Sequence, residues 1–124
     1  MVCEIPKEII MRDDFLKKLH EKHPFRAGVT LMRAGTMYNW HRDSKRMCGV
    51  NMMIWHSGSN CLFADTAPIE GGTFRVYELK YDEGYYYAFN TQVDHCVINL
   101  HGDRYMFTLE FDEEIGYERL VSSH

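Results

Sequence analysis

The sequence predicts a mainly β protein, a small antiparallel jelly roll preceded by a short helix. Three observations carry that expectation. From Ala27 onward the chain falls into short runs of Val, Ile, Thr, Tyr, Phe and Met, separated by clusters of Gly, Asn, Asp and Ser. Aromatic residues make up 14% of the chain, with eight Tyr and seven Phe, which suits strands and their cross-strand pairs. The 124 residues, 45% apolar and 26% charged, are enough for one core and too few for two. The expected organisation is therefore a single domain over 1–124, with a helical segment at about 8–23 and a strand core at about 27–112.

The helix comes first. Phe15, Leu16 and Leu19 recur at helical spacing behind Asp13, a good N-cap, with Lys17, Lys18 and Glu21 on the other side and Pro24 as the stop. Strands are then expected at Gly28 to Arg33, Met37 to Trp40, Met47 to Trp55, Cys61 to Ala64, Thr73 to Tyr81, Tyr85 to Asn90, His95 to Leu100 and Arg104 to Phe111. The breaks at Ser57-Gly58-Ser59-Asn60, Glu70-Gly71-Gly72, Asp82-Glu83-Gly84 and His101-Gly102-Asp103 offer residues that accept tight turns, the last read as a hairpin. A jelly roll is the common way to pack eight such strands.

Fourteen Lys plus Arg against 18 Asp plus Glu give a net charge of −4, with the basic residues scattered, so nothing supports a nucleic-acid partner. The N-terminus lacks a basic leader with an apolar run behind it, and no stretch approaches the ~20 apolar residues of a membrane span. A cytoplasmic protein without a membrane partner is expected. Cys3, Cys48, Cys61 and Cys96 form no C-x-x-C pair and are expected to be reduced and mostly buried.

A mononuclear metal site of the oxygenase type needs two imidazoles and a carboxylate on one side of the metal. His-x-Asp supplies two of the three, because residues two apart on a strand point the same way. Chance alone gives about 0.45 such pairs for seven histidines in this composition. Two occur. His101-Gly102-Asp103 lies among turn residues and is read as turn chemistry, which leaves His41-Arg42-Asp43. His95 opens an alternating run in which His95, Val97 and Asn99 share one face and Cys96, Ile98 and Leu100 the other. A polar face pointing inward requires a cavity that wants it. Downstream, Arg104, Met106 and Thr108 share a strand face, and Arg with a neighbouring hydroxyl is a good anchor for a carboxylate. Arg42 and Arg46 flank the His-x-Asp pair and are expected on a solvated face, while His20, His23, His56 and His124 have no partner pattern.

Together these residues resemble the iron(II) and 2-oxoglutarate dependent oxygenases, particularly their prolyl-hydroxylase-like branch. The resemblance rests on Trp40-His41-Arg42-Asp43, Glu70-Gly71-Gly72-Thr73-Phe74, Phe89-Asn90, His95-Cys96-Val97 and Gly102-Asp103-Arg104 with Thr108, in the family's order. Its most specific part is the nine-residue interval from His95 to Arg104. It implies a double-stranded β-helix, the cupin-like form of the jelly roll, with His41, Asp43 and His95 as the catalytic Fe(II) ligands. It also implies that Arg104, helped by Thr108, pairs with the far carboxylate of the co-substrate 2-oxoglutarate. Asn51 is a further candidate contact, and Tyr38, with Tyr85 and Tyr87 as alternatives, stands for the tyrosine the branch often places there. The implied activity is hydroxylation of a C–H bond of a peptidyl or amino-acid-like substrate, consuming O2 and releasing succinate and CO2. Three alternatives stay open at this point: a cupin-like metal protein that does not use 2-oxoglutarate, a non-enzymatic β-sandwich binding module, and a structural zinc or manganese site.

Overall fold

A computed structural model describes residues 2–43 and 46–122; His124 lies outside the described residues. In chain order the elements are β1 (Val2–Glu4), α1 (Lys7–Ile10), α2 (Asp14–Lys22), β2 (Phe25–Met32), β3 (Thr36–His41), β4 (Gly49–Trp55), β5 (Asn60–Ala64), β6 (Val76–Leu79), β7 (Tyr86–Phe89), β8 (His95–Asn99), β9 (Arg104–Phe111) and α3 (Tyr117–Ser122). The strands make two antiparallel sheets, one ordered β1-β2-β9-β4-β7 and the other β3-β8-β5-β6. From β2 onward the chain passes back and forth between them, which is the winding of a jelly roll.

All eight expected strands are present. β2 starts three residues earlier than expected, because Phe25, Arg26 and Ala27 pair with Phe111, Glu110 and Leu109 of β9. β6 is shorter than expected and pairs only from Val76 to Leu79, opposite Ala64 to Cys61. Asp13 caps α2 by accepting the Leu16 N–H at 2.9 Å, so the expected helix is divided into α1 and α2 by a turn at Met11 to Asp13. Leu16 and Leu19 are buried as their spacing requires, whereas Phe15 is half exposed and stacks on Tyr86.

The expected hairpin at His101-Gly102-Asp103 is not one. It carries the chain from β8 in one sheet to β9 in the other, and Asp103 holds the corner by accepting the Ala34 N–H and a bond from Arg33, each at 3.2 Å. Asn99, fully buried, donates to the carbonyls of Met32, Arg33 and Gly102, tying the same corner from inside. Asp82-Glu83-Gly84 makes the equivalent crossing from β6 to β7, with Gly84 at φ +84°, a conformation that favours glycine.

The main apolar core does not fill the space between the sheets. Ile10, Leu16, Leu19, Phe25, Ala27, Cys48, Val50, Phe107, Leu109, Ile115 and Leu120 pack together on the helix-covered side of the five-stranded sheet. Strand alternation then turns Asn51, Met53, Arg104, Met106 and Thr108 toward the other sheet. Gly49 in β4 has no room for a side chain, since a Cβ there would stand 2.5 Å from the Phe89 ring. The four cysteines are free, and Cys48, Cys61 and Cys96 are buried.

Candidate metal centre

Between the sheets lies a cavity of about 900 Å³, bordered along β3 by the exposed Met37 and Tyr38. His41 is the last residue of β3 and His95 the first of β8, and the antiparallel register sets them opposite one another across the small sheet. Asp43, two residues past His41, is fixed by its own N–H donating to the Thr91 carbonyl at 3.1 Å. The donor atoms of His41, Asp43 and His95 lie within 4.8 Å of one another, and this is the one such group of His, Cys, Asp and Glu among the described residues.

The histidines are prepared alike. His41 Nδ1 lies 2.6 Å from the Asn39 carbonyl and His95 Nδ1 lies 2.7 Å from the Val93 carbonyl, in both cases the residue two before. A carbonyl can only accept, so each Nδ1 carries the hydrogen and each Nε2 is turned to the centre. Both Nε2 atoms stand 3.4 Å from one oxygen, Asp43 Oδ1. Ligands about 2.1 Å from a shared metal stand roughly 3 Å apart. The residues therefore fit: His41, Asp43 and His95 could hold a metal ion, and two imidazoles with one carboxylate are a donor set suited to non-heme iron.

Without a metal, His95 and Asp43 each favour the other's charged form. Burial would lower the His95 imidazole, but its bonds to Asp43 and to the Val93 carbonyl raise it above the ordinary 6.5. Burial would likewise raise the Asp43 carboxyl, yet the bond from His95 and the charge and hydrogen bond of Arg46 hold it below 3.8.

Arg46 is where the sequence expectation fails. Arg42 does lie on the exposed face, pairing with Asp94 at 3.2 Å. Arg46 instead turns inward, placing Nε and Nη2 each 2.9 Å from Asp43 Oδ2 and Nη1 3.2 Å from Thr108 Oγ1. The physical cause is burial of Asp43, whose side chain is 14% exposed and needs a counter-charge, which a residue three positions on can supply. Thr91 and Gln92, also unremarked in the sequence, anchor this stretch. Thr91 Oγ1 donates to the Arg46 carbonyl at 2.6 Å, and Gln92 Nε2 donates to the carbonyls of Asp43 and Arg46 at 3.1 and 2.8 Å.

The other end of the cavity holds the second expected group. Arg104 is only 7% exposed, has no ion-pair partner among the described residues, and its Nε is buried without a hydrogen bond. Burial lowers its pKa, but a guanidinium remains charged at neutral pH. It sits 6.0 Å from the centre of the Tyr81 ring, whose hydroxyl lies 3.4 Å from Asn51 Nδ2. Asn51 pairs across the sheet with Thr108, so Arg104, Tyr81, Asn51, Thr108 and Arg46 run in sequence toward Asp43. Asn51 Oδ1 is also buried without a partner among the described residues.

Of the expected tyrosines, Tyr38 lines the cavity mouth, 54% exposed, with its ring 4.1 Å from that of His41. Tyr85 is exposed, and the Tyr87 hydroxyl accepts the Asp82 N–H at 3.0 Å. Tyr81 is the one the sequence did not single out; burial pushes its hydroxyl up to about 12. The signal was alternation from β6: Tyr77, Leu79 and Tyr81 share a face, and Leu79 pairs with the cavity-lining Cys61.

No protein-family model matches the chain, and no curated protein matches it. Solved structures do. The chain is similar to a Pseudomonas putida prolyl-4-hydroxylase at 22% identity and a TM-score of 0.53, over 74% of this chain and 52% of that one. It is similar to vicilin from hazelnut, Corylus avellana, at 9% identity and a TM-score of 0.52, over 90% of this chain and 29% of that one. A cupin domain from Bordetella pertussis follows at 22% identity and a TM-score of 0.48, over 72% and 82%. The chain thus spans about half the length of the hydroxylase it matches. At these identities the likeness is one of fold, and the fold is the double-stranded β-helix.

Proposed function

We propose that this chain is an iron(II) and 2-oxoglutarate dependent dioxygenase that hydroxylates a C–H bond of a peptidyl or amino-acid-like substrate, releasing succinate and CO2. The observation that carries the proposal is one cavity with a His-Asp-His group at one end and, at the other, a buried guanidinium that has no counter-ion among the described residues. A metal alone would need only the first. A buried charge without a partner is costly, and a carboxylate brought in by a ligand relieves that cost.

His41, Asp43 and His95 would hold the iron, which supplies activation of O2 when bound. Arg104 would receive the far carboxylate of 2-oxoglutarate, with Asn51 and the Tyr81 hydroxyl beside it. Thr108 Oγ1 accepts from Arg46 and so keeps its O–H free to help Arg104 with that carboxylate. Met106, fully buried, and Cys61 line this chamber. Burial pushes the Cys61 thiol up to about 11, so it stays protonated at neutral pH, and it is not among the grouped donors. Met37 and Tyr38, exposed at the mouth beside His41, offer an apolar ledge for the primary substrate.

The test is succinate formation from 2-oxoglutarate by the Fe(II) protein under air, with and without a library of peptides. The expected result is slow uncoupled turnover, stimulated by some peptides and abolished by His95→Ala. Absence of succinate with every peptide, in a protein that binds Fe(II), would overturn the proposal.

A further inference from the structure

Arg46 is not among the three donors, yet its side chain makes three polar contacts at the centre. Its Nε and Nη2 both close on Asp43 Oδ2 at 2.9 Å, while Oδ1 is the oxygen that faces the two Nε2 atoms. The carboxylate is thereby divided into one oxygen for a metal and one spent on a guanidinium fork. The fork is itself braced. Nη1 is held by Thr108 on β9, and the carbonyls of Asp43 and Arg46 are both held by Gln92, with Thr91 adding a second bond to Arg46. Thr91 is fully buried, so this is a fixed frame and not a surface pairing.

We propose that Arg46 is a positioning residue that makes Asp43 a one-oxygen ligand, capping Oδ2 and fixing Oδ1 toward His41 and His95 through a brace to Thr108. The inference rests on the metal-binding reading above. Its consequence is that the carboxylate cannot swing to offer both oxygens, so the coordination positions a co-substrate needs stay open. The sign of the effect separates this role from simple charge. A cation beside a divalent metal repels it, so removing Arg46 would tighten metal binding if charge were all that mattered. Loss of a positioning partner instead weakens binding, by about 10–100-fold for groups that orient a ligand.

The experiment is a titration of the whole chain with Co(II), followed by its visible absorption and by calorimetry, for wild type, Arg46→Met, Arg46→Lys and Thr108→Val. Wild type is expected to bind. Arg46→Met, which keeps the stem and loses the fork, is expected to weaken Co(II) binding about 10–100-fold and to change the visible spectrum. Arg46→Lys keeps the charge without the fork and is expected to recover little of that loss. Thr108→Val leaves both bonds to Asp43 and is expected to move affinity the same way by less, which keeps the proposal testable should the Arg46 variants not fold. Equal or tighter binding by Arg46→Met, full recovery by Arg46→Lys, or unchanged binding by a folded Thr108→Val would overturn it. Failure of the wild type to bind Co(II) would overturn the metal-binding reading and this inference with it, whereas wild-type binding with unaltered variants would overturn the inference alone.

Discussion

His95 and Asp43 are coupled, and the coupling has a definite pH dependence. The raised His95 pKa gives stability that is fully present below 6.5 and is lost as pH rises through its folded value. The lowered Asp43 pKa gives stability present above 3.8 and lost as pH falls through its folded value. The metal-free protein should therefore gain most from this pair between pH 3.8 and 6.5, and Asp43→Asn should lower the melting temperature there and flatten its fall on either side. A metal must displace the proton that His95 shares with Asp43. Affinity for a divalent ion should fall as pH drops below the raised His95 value, with proton release visible as a dependence of calorimetric heat on buffer. The three donors were legible in the sequence because each sits in a local pattern, His-x-Asp at the end of one strand and a polar alternation in another. Arg46 and Tyr81 were not, since what commits them includes contact with Thr108, Asn51 and Arg104, residues 23 to 62 positions away.

Alternation in β9 explains how one strand serves both core and cavity. Leu109 is 0% exposed in the helix-facing core, while Arg104, Met106 and Thr108 point the other way into the cavity. Leu109→Ala should cost about 2–5 kcal/mol, the usual range for a fully buried leucine, measured by urea denaturation. Asp13→Ala removes the cap of α2 and should cost about 1 kcal/mol while leaving metal affinity unchanged, because α2 lies on the far side of the five-stranded sheet. The strands were readable from their turn residues and apolar runs. Their pairing was not, since the crossing at His101-Gly102-Asp103 has the composition of a hairpin and joins two different sheets. β1 and α3 lie outside the residues the pattern pointed to; α3 is only six residues long and β1 three, too short for periodicity to register.

The centre is a property of the assembled barrel. His41 and His95 come from one sheet, Arg104, Thr108 and Asn51 from the other, and Asp43 and Arg46 from the connection between β3 and β4. A metal held by His41, Asp43 and His95 would join β3, β8 and the connection after β3, and at a hundred times its dissociation constant it should add about 2.7 kcal/mol and raise the melting temperature by roughly 10 °C. Arg104→Ala should leave that shift intact while weakening 2-oxoglutarate roughly tenfold to a hundredfold, the worth of a buried charge-assisted pair. The measurement that bears most directly on the whole account is an anaerobic titration of the Fe(II) protein with 2-oxoglutarate, watched for the visible metal-to-ligand charge-transfer band. A saturable band in the wild type, absent in His41→Ala and Asp43→Ala, is the predicted result. Iron that binds without any band, or no iron binding at all, would contradict it.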